Sequence, residues 1–98
     1  MKPFVREIIL ATSEAFGADP VELVWPDHQP RLNMARNAVF LVARKTGHSH
    51  NEIAKFMGRR IPETIRNGAD RCEDLMAENP AYHRTVSGLL ASFWGAGE

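Results

Sequence analysis

Six side chains within nine residues have the chemistry to recognise a nucleic acid: Arg59, Arg60, Glu63, Thr64, Arg66 and Asn67. An arginine can bond O6 and N7 of a guanine together, an asparagine can do the same at an adenine, and a glutamate can accept from cytosine N4. Arginines also hold phosphates, which sets affinity, whereas contacts to base edges set specificity. Around this group stand Ser49, His50, Asn51, Lys55, Pro62 and Arg71, with Arg31 and Arg36 further back in the chain. Each has a plainer alternative. Arg59 and Arg60 would also serve as a solvated turn, and Lys55 and Arg44 as solvating charges. Arg66 and Asp70 are four apart and suit a surface pair worth a few tenths of a kcal/mol. His50 suits either a phosphate contact or an exposed capping-region histidine.

The charge distribution points the same way. The formal net charge is zero, but residues 31–71 hold nine basic and three acidic groups, a net +6, between acidic ends that sum to −6. A zero total thus conceals a basic middle of the kind that meets phosphates on one face. Other classes have little support. There is no glycine-rich phosphate loop, no pair of carboxylates placed for acid–base work and no activated nucleophile, so an enzyme is not expected. One cysteine, Cys72, permits no internal disulfide, and it falls on an apolar stripe as a buried thiol would. Four scattered histidines and one cysteine lack metal-ligand spacing, and no metal or cofactor is expected. The 98 residues are 44% hydrophobic and 24% charged, as in ordinary globular proteins. No apolar run approaches the roughly 20 residues of a bilayer span, and the start lacks the pattern of a secretory signal. A cytoplasmic, nucleoid-associated protein is expected.

The elements that would position these residues are helices. Pro3 suits a first helical position, and Phe4, Ile8, Ala11 and Ala15 recur at helical spacing up to a stop at Gly17. Asp19-Pro20-Val21-Glu22 opens a short second helix that Trp25-Pro26 ends, with Leu23, Val24 and Trp25 folding onto the core and a loop running to Pro30. A third helix spans about Leu32 to Thr46, with an apolar stripe of Met34, Ala38, Leu41 and Val42, and with Arg36 and Arg44 off it. Ser49-His50-Asn51-Glu52 is a capping box. The short helix that it opens buries Ile53, Phe56 and Met57 and stops at Gly58. Pro62 begins a long helix whose inner side is Ile61, Ile65, Ala69, Cys72 and Leu75 or Met76. Gly68 within it marks a close approach by another helix or by a DNA backbone, or nothing. Asn79-Pro80 breaks it, and a last helix runs from about Ala81 to Trp94. The expectation is an all-α, five- to six-helix bundle in one domain, 1–94, with a flexible tail at 95–98. A short capped helix, a glycine turn and a longer helix make a helix-turn-helix signature, in which the start of the second helix enters the major groove.

The order and spacing of these residues also resemble a known family. Phe16-Gly17-Ala18-Asp19-Pro20-Val21-Glu22-Leu23 is similar to the aromatic, linker and "V-x-D-L" stretch of the C-terminal DNA-binding domain (domain IV) of the bacterial replication initiator DnaA, a Trp-repressor-like fold. Ser49-His50-Asn51-Glu52-Ile53 resembles its "S-L-P-E-I", and Met57-Gly58-Arg59-Arg60 its "F-G-G-R". The resemblance spans roughly residues 5–93. It implies that Arg60 stands at the family's arginine, Thr64 at its second threonine and Arg71 at a late-helix lysine that touches phosphate. It places Arg31 or Arg36 at an arginine that reaches toward the minor groove. Where the family reads "D-H-T-T-V", this chain reads Ile61-Pro62-Glu63-Thr64-Ile65, so backbone docking carries over and the target sequence does not. The role that the resemblance implies is a sequence-specific double-stranded-DNA binder. It would act as a bacterial or phage transcription regulator, of the kind that activates phage-like or gene-transfer-agent genes beside a partner protein bound to the transcription machinery. The alternatives are a protein-interaction module of the same fold using its final helix, and a replication accessory factor.

Overall fold

Capping and glycine signals divide the described residues into six helices: α1 (Val5–Phe16), α2 (Pro20–Val24), α3 (Asn33–Lys45), α4 (His50–Phe56), α5 (Pro62–Glu78) and α6 (Pro80–Trp94). A 3₁₀ turn, Pro30–Leu32, leads into α3. The computed structural model describes residues 2–25, 29–58 and 60–94, without the side chain of Trp94; there are no strands among them. The 95–98 tail and most of the loop before Pro30 lie outside the described residues. The radius of gyration, 11.9 Å, is close to the roughly 13 Å of a packed unit of this length.

The starts and stops follow from local chemistry. Gly17 takes the left-handed conformation at φ 66° and closes α1, and the Asp19 carboxylate accepts from Val21 N–H at 2.8 Å to open α2. Ser49 and Glu52 make the reciprocal cap of α4: Glu52 N–H donates to Ser49 Oγ at 3.1 Å, and Ser49 N–H to Glu52 Oε1 at 3.2 Å. Gly58, at φ 77°, turns the chain out of α4. Between α5 and α6 stands only Asn79, whose side chain accepts from Tyr82 N–H at 3.0 Å.

α3 is the centre of the molecule, in contact with α1, α4, α5 and α6. Eight of its thirteen residues are buried, from Ala35 through Ala43, which is wider than a one-sided stripe and is the mark of a helix enclosed on most sides. Met34, expected on that stripe, sits at the open first turn and is exposed. Tyr82 of α6 reaches in and donates to the Met34 carbonyl at 2.7 Å, with Cys72 Sγ 3.2 Å from the same hydroxyl. Burial pushes the Cys72 thiol and the Tyr82 phenol up from their ordinary pKa values, so both stay protonated.

Five further apolar expectations fail for identifiable reasons. The α1 stripe runs Val5, Ile8, Ile9, Thr12 and Ser13; Phe4 is the residue before the helix, in extended backbone and 64% exposed, and Ala15 also faces out. In α4 the buried arc runs from Ile53 through Met57 to Ala54. Phe56 lies about 60° outside it at 100° per residue, and is exposed. In α2, Leu23 is fully buried, whereas Val21 and Trp25, four apart, share the opposite face and are exposed, so Trp25 does not fold onto the core. Ile61 precedes α5 in extended backbone (φ −70°, ψ 145°), out of register with Ile65 and Ala69, and is 63% exposed.

Gly68 is explained by α3. A Cβ at this position would lie 2.5 Å from Phe40 Cδ2 and 2.6 Å from Asn37 Oδ1. The close approach is that of another helix, and it brings the starts of α3 and α5 side by side.

Candidate nucleic-acid interface

The α4 capping box and the Gly58 turn set α4 against the first turns of α5. Pro62 at the first helical position pre-shapes the start of α5 and removes one of its orphan N–H groups. Ile65 and Ala69 are fully buried, which fixes the rotation of α5 about its axis. The side chains off that buried line face out: Pro62, Glu63, Thr64, Arg66, Asn67 and Arg71 are all exposed.

Three surface hollows join these residues. Pro62, Glu63 and Arg66 line one with His50, which is partly buried. Pro62 and Arg60 line a second with Asn51 and Lys55 of α4. Arg60, Thr64, Asn67 and Gly68 line a third, of about 390 Å³, with Asn33, Asn37, Arg36 and Phe40 of α3. Ten of the expected site residues thus border one continuous stretch around the start of α5, Arg36 from beneath it, and Ser49 caps α4 beside it. Arg59 lies outside the described residues. Asn33 and Asn37 were not among the expected site residues. Their only signal in the sequence is a spacing of four, which puts two carboxamides on one helix face.

Several arginines are committed within the fold. Arg36 is buried, and its guanidinium donates to the carbonyls of Leu23 at 3.0 Å, Glu22 at 2.7 Å and Trp25 at 3.0 Å. It fastens α2 onto α3 and is not presented to solvent, so it does not suit a reach toward a DNA groove. Arg31 is exposed and paired with Glu22. Arg60 donates through Nη2 to the Trp25 carbonyl at 3.0 Å and through Nη1 to the Met57 carbonyl. Arg44 is held by Asp70 at 3.1 Å and Glu73 at 2.7 Å, so Asp70 is not the partner of Arg66. Arg66 lies 3.6 Å from Glu63 instead. The +6 of residues 31–71 is therefore partly neutralised where it stands. Among the described residues of 31–71, Lys45, Lys55 and Arg71 have no ion-pair partner.

The start of α4 is held from the other side by the N-terminal segment. His48 is largely buried; its Nε2 donates to the Pro3 carbonyl at 2.6 Å, and its Nδ1 lies 3.1 Å from Glu52 Oε2. Lys2 donates to the Gly47 carbonyl at 3.3 Å and lies 3.7 Å from Glu52 Oε1. The bond to His48, with help from Ser49 N–H and Lys2, holds the Glu52 carboxyl down to about 2. Among the described residues no three His, Cys, Asp or Glu side chains converge as metal ligands, and no helix is long and apolar enough to cross a membrane. Comparisons with protein-family models, with curated proteins and with solved structures return no match.

Proposed function

We propose that this protein binds double-stranded DNA sequence-specifically, as a transcription regulator in the cytoplasm, through a helix-turn-helix formed by α4 and α5. The observation that carries the reading is the outward start of α5. Pro62, Glu63, Thr64, Arg66 and Asn67 are exposed there together, with Lys55 beside them on α4 and Arg71 two turns on. In this mode α5 enters the major groove by that end, and α4 crosses the backbone. Glu63, Thr64, Arg66 and Asn67 read base edges, while Lys55 and Arg71 hold phosphates. Asn33 and Asn37 offer neutral hydrogen bonds to the strand that runs along the α3–α5 hollow. The resemblance to the DnaA C-terminal domain and to Trp-repressor-like folds supports the same docking.

Selection of duplexes from a random pool, followed by a salt titration of the winners, tests this. Affinity should fall with salt at a log–log slope of about −0.9 for each phosphate contacted. A flat response, or no duplex enriched at low salt, refutes it.

A protein partner is favoured by a separate observation. Val21 and Trp25 are 61% and 59% exposed and flank a hollow of about 200 Å³ with Glu22, Gln29 and Leu32. This reading puts the partner on α2; on α6, Tyr82, Val86 and Leu89 are buried in the chain's own core.

A further inference from the structure

We infer that Ile61 recognises a thymine through its 5-methyl group, so that the bound site carries a thymine beside the bases read by Glu63 and Thr64. The inference rests on the DNA-binding mode proposed above.

Ile61 is an aliphatic side chain in a place where burial does not account for it. It immediately precedes Pro62, in extended backbone, and it is 63% exposed while Ile65, one turn further on, is fully buried. Its side chain makes no cap for α5. The surroundings are polar and cationic: Lys55, Arg60, Glu63 and Thr64 border the adjoining hollows, and Pro62 is exposed next to it. An apolar face of another protein would have to desolvate these charges to reach Ile61, whereas a DNA duplex supplies phosphates for the cations. Within the major groove, a base pair offers one apolar group, the methyl at thymine C5. A β-branched side chain with few rotamers, held beside a proline, is pre-shaped to cover it.

The test uses the duplex enriched from the random pool. Each thymine is replaced singly by deoxyuridine, which deletes the methyl and leaves the hydrogen-bonding edge intact. One replacement should weaken the wild-type protein about fourfold, the effect of one buried methylene-sized group. The I61A protein should bind the unmodified duplex several-fold more weakly and lose its sensitivity to that same replacement, so that the two changes are coupled. Thermal unfolding should be almost unchanged, as Ile61 is exposed, and I61S, which carries no methyl, serves as a second variant if I61A unfolds. If no replacement matters, or if I61A and I61S keep the wild-type sensitivity, Ile61 does not read a methyl, and the DNA-binding mode stands. If no duplex is enriched, that mode falls and this inference with it. Loss of the Val21 and Trp25 side chains (V21S/W25S) should leave the deoxyuridine effect intact; its disappearance there would overturn the assignment to Ile61.

Discussion

Asn67 and Arg71 lie on one side of α5, four residues apart, and the reading above gives them opposite tasks. N67A should relax preference at one base position by about 1–3 kcal/mol and leave other positions alone. Competition with single-base variants of the enriched duplex measures this. R71Q should weaken all duplexes alike and reduce the salt slope by about 0.9, one phosphate's share. Glu52 gives a prediction about stability. Its carboxyl is held down to about 2, chiefly by His48. Folding therefore favours the charged form. The stability that it adds is complete above the ordinary carboxylate range, and it is lost as pH falls from about 4.5 through about 2. E52Q should flatten that part of the denaturation midpoint against pH and leave the neutral-pH slope unchanged.

At the scale of elements, the α3–α5 contact decides how the candidate site is aimed. G68A should raise helix propensity by about 1 kcal/mol and still destabilise the protein, by about 1–3 kcal/mol, because the new Cβ meets the buried Phe40 ring. Urea unfolding of G68A against G68A/F40L checks this: the smaller side chain should recover part of the loss. R36M should cost at least about 2 kcal/mol, since three carbonyls lose a charged donor, and R36K should not restore it, for a lysine cannot reproduce the planar fork. Helix boundaries were legible because caps and glycines are local: the Ser49–Glu52 box, Gly17 and Pro62 act on neighbours in the chain. Orientation of residues beside those boundaries was not. Phe4 and Ile61 stand just before a helix in extended backbone, where the helical period no longer applies, and Phe56 falls outside a buried arc whose width depends on where α3 and α5 lie. In the sequence Arg36 suits a groove contact, because nothing local shows that α2 and the residue that follows it turn three carbonyls toward it.

For the molecule as a whole, charge counted along the chain overstates charge presented on the surface. The basic middle and acidic remainder meet in the fold, through Arg31 with Glu22 and Arg44 with Glu73. The expected consequence is a moderate salt slope, set by the few cations near α5, and not one that reflects all nine basic residues. Cys72 provides a check on global stability, since its thiol is fully buried and pushed up by burial. Labelling by a thiol reagent at pH 8 should proceed only through opening of the core, so its rate should rise in step with destabilisation in G68A and R36M.

The Pro3 carbonyl and the His48 imidazole join residues 45 positions apart. The practical effect concerns anyone who shortens the chain. A clone begun at Val5 would leave an enclosed imidazole without its oxygen and Glu52 without its lysine, at the cap from which α4 springs. Such a truncation, although it spares every residue of the six helices, should fray the forward end of α4 and blunt recognition at a distance, whereas a purification handle joined ahead of Met1 by a flexible spacer would leave that clasp in place.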